Sequence, residues 1–161
     1  MKLTWKRFGP VAVFAGALVA VGTALGGGGN VQVSGVQTPV DPVAGTYVMS
    51  GDLNGWWYTT SISAVRIHPA GTVQLTGTEL FSGCIDSNAD GACETGEPAG
   101  TLDLAFSFSG KYDDLTEAEI HGRCHHEITG GTGDFSTATG MIDFKDDPAT
   151  GCASYRGHID L

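Results

Sequence analysis

Gly100-Thr101-Leu102-Asp103-Leu104-Ala105-Phe106-Ser107-Phe108-Ser109-Gly110 is the stretch that decides the fold class. Leu102, Leu104, Phe106 and Phe108 recur at every second position, with Asp103 and Ser107 between them. Successive side chains of a strand point to opposite faces, so this period of two buries one face and wets the other. The same texture extends in both directions. From Gly45 onward, short runs rich in Thr, Val, Ile, Phe and Tyr are broken by Gly, Asn, Asp and Pro, and no stretch sustains a helical period.

Strands are expected at about 45–50, 55–67, 71–82, 100–110, 116–129, 138–146 and 152–161, with an eighth around 134. Turn chemistry separates them at Asp52 to Gly55, Pro69 to Gly71, Gly110 to Asp114, Gly130 to Gly133 and Asp146 to Gly151. Along the fifth of these, Ile120, Cys124, His126 and Ile128 share one face, and Glu119, His121, Arg123, His125 and Glu127 the other. Consecutive antiparallel strands expose two edges unless the sheet closes. The expected fold is therefore all-β, a single closed antiparallel barrel of about eight strands over residues 45–161.

The N-terminus reads differently. Lys2, Lys6 and Arg7 precede an uncharged apolar run from Pro10 to Leu25, the pattern of a secretory signal peptide over residues 1–24. Residues 25–44, rich in Gly, are expected to be a flexible tether. Removing residues 1–24 would leave five basic against eighteen acidic side chains, a formal charge of −13. Nucleic acid and anionic membrane surfaces need basic patches, so cations are the better partners of such a chain. A secreted or periplasmic location is expected, with oligomeric state open.

All four cysteines lie after the signal segment, which in an oxidising compartment predicts two disulfides. The pairing expected is Cys84–Cys93, bracketing a local loop, with Cys124–Cys152 tying the last strands. Between Cys84 and Pro98, the segment Asp86-Ser87-Asn88-Ala89-Asp90-Gly91-Ala92-Cys93-Glu94-Thr95-Gly96-Glu97 follows the spacing of a twelve-residue calcium loop. Asp86, Asn88 and Asp90 would offer side-chain oxygens and Ala92 its carbonyl. Glu94 would act directly or through water, and Glu97 would close the shell. Cys84 and Pro98 leave no room for flanking helices, so a helixless hairpin insertion over 84–98, stabilised by Ca2+, is expected.

The C-terminal half carries a family resemblance. The run His126-Glu127-Ile128-Thr129-Gly130-Gly131-Thr132-Gly133-Asp134-Phe135-Ser136-Thr137-Ala138-Thr139-Gly140 resembles a signature of bacterial allene oxide cyclase barrel-like proteins. The ending Tyr155-Arg156-Gly157-His158-Ile159-Asp160-Leu161 resembles their closing strand, and Gly77 to Gly83 with Gly100 to Leu102 their earlier paired strands. The resemblance spans about residues 45 to 161, with the calcium loop as an insertion. It implies an eight-stranded barrel shaped like lipocalins and dirigent proteins. It carries no activity, because a catalytic set does not transfer residue by residue.

Candidate chemistry comes from strand phase. Glu79 alternates with Val73, Leu75 and Phe81, so it points inward unless a bulge at Gly77 resets the phase. His126 and Tyr155 share the inward phase of Ile128 and Ile159. An isomerase or cyclase acting on a lipid or phenolic substrate would use Glu79 as base and His126 or Tyr155 as donor. The leading expectation is instead a non-enzymatic exported barrel that binds calcium and carries a small apolar or aromatic ligand. A cell-surface interaction module is the third reading, with Trp56 or Trp57 exposed. His121, His125 and His126 are not expected to share one metal ion: the first two would lie about 13 Å apart at ~3.3 Å per residue, and His126 would face the other way.

Overall fold

Each strand of the chain pairs antiparallel with its neighbour in sequence, and the last returns to pair with the first. The computed structural model describes residues 29–161; the expected signal peptide lies outside them. The strands are β1 (Asn30–Asp41), β2 (Thr46–Gly51), β3 (Leu53–His68), β4 (Thr72–Ile85), β5 (Ala99–Tyr112), β6 (Glu119–Gly133), β7 (Thr139–Asp147) and β8 (Cys152–Asp160). They close into an eight-stranded antiparallel barrel, as the alternation predicts.

The eighth strand is not where the sequence pattern places it. Residues 30–41, expected within a tether over 25–44, form β1 and pair with β2 on one side and β8 on the other. Val33 is buried and Val31 packs on the core, so this Val-bearing segment has an inward face. Residues around 134 make a turn instead. The Phe135 amide donates to Thr132 O at 3.2 Å and the Ala138 amide to Phe135 O at 3.0 Å, which folds the chain sharply enough to drop the Phe135 ring into the barrel.

Phe135 makes one end of the barrel solid. It meets Phe81 at 6.4 Å between ring centres and shares the core with Leu53, Ile85, Leu102 and Ile159. Leu102 and Leu104 are fully buried, Phe106 is nearly so, and Asp103 and Ser107 face solvent. Burying each such side chain contributes about 1.5–3 kcal/mol.

Two bulges set local phase. In β3 the register slips between Thr59 and Ser61 and again between Ile62 and Ala64, whereas β4 runs through Gly77 without interruption. A second kind of slip corrects the reading of β6. Tyr112 pairs with Glu119 and Lys111 with His121, so Ile120 is the extra residue; it turns outward and is 53% exposed, while Glu119 turns in.

Cys84 and Cys93 are disulfide-bonded, with Cα atoms 5.7 Å apart. The expected Cys124–Cys152 bond is absent, and both are free thiols. Strand order is the reason: β7 lies between β6 and β8, which separates their backbones by two strand spacings, ~9–10 Å, beyond the ~7 Å reach of a disulfide.

Candidate functional site

Opposite the Phe135 plug, the barrel interior opens as a cavity of about 690 Å³. Its mouth is formed by the β1–β2 turn at Pro42 to Gly45, by β3 at Thr59 to Ile62, and by the β7–β8 turn at Pro148 and Gly151. Leu75, Phe106, Phe108 and Phe144 supply an apolar wall.

Glu79 and His126 sit together in this cavity. Because β4 keeps its phase through Gly77, the Glu79 side chain points inward and is only 10% exposed. Three donors converge on its carboxylate: His126 Nε2 at 2.7 Å, Thr59 Oγ1 at 2.9 Å and the indole N–H of Trp57. His126 is itself 3% exposed, and its Nδ1 lies 3.3 Å from the carbonyl of Ile142. Aromatic rings hold the imidazole in place, with Phe144 at 4.6 Å and Trp57 at 5.2 Å, both edge-on. An acid–base pair pinned this way is preorganised to exchange a proton or a hydrogen bond with a ligand entering from the mouth.

Gly77 makes the arrangement possible. A Cβ there would collide with the Ser61 carbonyl and approach the Phe106 ring to 2.7 Å, so the glycine lets β3 and the ring come together beside Glu79.

Tyr155, the third residue expected in this site, is elsewhere. Its hydroxyl accepts from the buried Leu53 amide at 2.8 Å and donates to the Ser50 carbonyl at 3.1 Å, pinning β8 to the β2–β3 corner. Burial raises its pKa well above the ordinary tyrosine value. A hydroxyl committed on both sides and outside the cavity lining is a structural tie.

Four further cavity residues escaped the sequence reading: Tyr47, Tyr112, Glu119 and Asp146. Asp146 was accessible by alternation, since Ile142 and Phe144 precede it on the inward face. Glu119 was not, because its direction depends on the bulge at Ile120. The two carboxyl groups sit over Gly122, where a Cβ would collide with Asp146 Oδ2 and Glu119 Oε1 alike. Desolvation first, and then the Asp146 carboxyl beside it, push the Glu119 pKa up to about 7; Asp146 is raised too, chiefly by burial. Desolvation and the nearby Glu79 charge raise Tyr47 in turn.

The acidic segment between β4 and β5 lies at the closed end. Asp86 is fully buried and accepts from the Gly91 amide at 2.8 Å; Asn88 Oδ1 accepts from the Asp90 amide at 3.0 Å, and Asp90 Oδ1 from the Ala92 amide at 2.9 Å. Glu97 accepts from the Ser87 amide at 2.8 Å and the Glu94 amide at 3.0 Å, and these backbone donors lower its pKa. Gly91 has φ +85°, the turn that the loop pattern requires of a glycine. Among the described residues no three His, Cys, Asp or Glu side chains converge as a metal cluster. Apart from the buried Asp86, the candidate side chains Asn88, Asp90 and Glu94 are exposed, and the oxygens of Asp86, Asn88, Asp90 and Glu97 accept hydrogen bonds from the loop's own amides.

His121 and His125 face solvent, and His125 Nδ1 lies 2.8 Å from Asp143 Oδ1. Trp57 is buried, while Trp56 is 43% exposed and stacks on Tyr58. A wider concavity of about 900 Å³ runs over the outer face, touching Ser107, Arg123, His125, Lys145 and Arg156, and does not reach Glu79 or His126. Comparison with protein-family models, curated proteins and solved structures finds no match to this chain.

Proposed function

We propose that this protein is an exported β-barrel that binds a small, partly apolar ligand in its open end. One observation carries the reading: a cavity of about 690 Å³ with an aromatic wall reaches the paired Glu79 and His126. Small-molecule sites are commonly ~300–1,000 Å³ clefts, mostly apolar, with a few placed polar groups. The Cys84–Cys93 disulfide supports an oxidising compartment, periplasmic or extracellular.

The test is titration with the neutral fluorophore N-phenyl-1-naphthylamine. Saturable binding at one site, quenching of Trp57 emission, and loss of both in a cavity-filling Leu75→Trp variant are expected. Absence of saturable binding to a folded sample rejects the reading.

The geometry of Glu79 and His126 favours a second reading, an isomerase or cyclase of the allene oxide cyclase shape. Glu79 would take a proton from a bound lipid or phenolic substrate and His126 would return one. Glu79→Gln would then abolish turnover of an epoxide or phenolic substrate while the protein stays folded, and equal turnover by that variant would reject the reading. The spacing of Asp86, Asn88, Asp90, Ala92, Glu94 and Glu97 along one loop supports calcium as a structural ion at the closed end. Calcium would raise the melting temperature and Asp86→Ala would remove the rise; an unchanged melting curve rejects the ion.

A further inference from the structure

The lysines and arginines of this barrel all lie outside its inner cavity. The described residues contain five Lys and Arg: Arg66, Lys111, Arg123, Lys145 and Arg156. None of them lines the inner cavity, and Arg123, Lys145 and Arg156 border the outer concavity instead. Among the described residues no Lys or Arg lies within ion-pair distance of a carboxylate. The inner cavity, by contrast, is touched by Glu79, Glu119, Asp146 and Asp147. An acidic chain therefore keeps its positive charges off the surface that a ligand would meet.

We propose that the ligand of this cavity is an organic cation, a protonated or quaternary amine carried on an apolar body. The inference rests on the ligand-binding reading above and gives it a substrate class. Three features converge on it. First, Glu119 Oε1 is removed from solvent and takes no hydrogen-bond donor of its own; the carboxyl to which it belongs borders Tyr112 and faces Asp146 over Gly122 without a cation. An ammonium N–H supplies the missing donor, and its charge relieves the repulsion that forces the two acids to compete for one proton. Second, the rings of Tyr47, Tyr112, Phe106, Phe108 and Phe144 share the cavity with these acids, and aromatic faces attract cations when water is excluded. Third, with Glu79 already paired to His126, an anionic ligand would still meet Glu119, Asp146 and Asp147 with no lining Lys or Arg to offset them. The apolar body would lie along Leu75 and Phe144, with its charged end toward Glu119 and Asp146.

The experiment compares three ligands with one skeleton: 4-phenylbutylamine, 4-phenylbutanol and 4-phenylbutyrate, titrated calorimetrically into the secreted chain at neutral pH. The amine is expected to bind at least about tenfold more tightly than the alcohol, and the carboxylate more weakly than either. In a Glu119→Gln/Asp146→Asn variant the amine-to-alcohol affinity ratio should fall to within about twofold. A circular-dichroism spectrum matching that of the parent establishes that the variant is folded. Equal or tighter binding of the alcohol or the carboxylate overturns the cation preference and leaves the cavity reading standing. Persistence of the amine preference in the double variant overturns the assignment to these two acids. Failure of all three ligands to bind overturns the cavity reading and the preference with it.

Discussion

Glu79 and His126, forty-seven residues apart in sequence, meet at 2.7 Å inside the barrel, and the same carboxylate takes the indole N–H of Trp57. A single side chain thus ties β3, β4 and β6 at the inner limit of the cavity. Because donors on two other strands depend on one acceptor, its removal differs in kind from loss of a surface carboxylate. Leaving a buried donor unsatisfied costs about 1–3 kcal/mol.

Glu79→Ala is therefore expected to lower unfolding free energy by about 1–3 kcal/mol, measured by urea denaturation. Glu79→Gln, which keeps an oxygen for Trp57 and Thr59, should lose less than the alanine variant. An alanine variant as stable as the parent would show that the three donors find other partners.

Tyr155→Phe tests the tie at the β2–β3 corner. The Leu53 amide is buried and loses its acceptor, so stability should fall by about 1–3 kcal/mol. Ligand affinity should not change, because the hydroxyl lies outside the cavity. A variant that lost ligand binding while keeping its stability would move Tyr155 back into the site.

Stability should depend on pH through Glu119. Its folded pKa stands at about 7 against an ordinary 4.5, so the folded state prefers the protonated form. That contribution is full below the ordinary value and is lost as pH rises through about 7. The melting temperature is thus expected to fall between pH 5 and pH 8, and Glu119→Gln should flatten the fall. A profile identical in parent and variant would assign the titration to other groups.

Reduction of the Cys84–Cys93 bond, or Cys84→Ser with Cys93→Ser, frees a loop closed over a sequence separation of nine residues. Loop-closure entropy predicts a loss of about 2–3 kcal/mol. The melting temperature of the double variant should fall accordingly, and a value within error of the parent would show that the loop's amide–carboxylate bonds suffice without the bond.

How much of this was legible in the sequence differs from residue to residue. The inward phase of Leu102, Leu104 and His126 follows from alternation, because side-chain direction in a strand is a local property, and that of Glu79 does so once β4 runs through Gly77 without a bulge. Glu119 defeats the same rule, since one extra residue at Ile120 reverses the face of its neighbours. Asp146 obeyed the rule and was readable beside Phe144. Of the expected trio, Tyr155 had the right inward phase and the wrong place, because phase names a face and says nothing of height along the barrel axis.

Sequence by itself determined the strand class, most turns, the inward set away from the Ile120 bulge and the Cys84–Cys93 bond, all of which arise from neighbours a few residues apart. Tertiary structure alone decided that residues 30–41 close the ring, because their partners in β8 lie more than a hundred residues away and the short alternation at Val31 and Val33 does not name them. It also decided that Cys124 and Cys152 stay apart and that Glu119 meets Asp146. Those outcomes depend on strand order and register, which are set when the whole cylinder closes and every edge must find a mate.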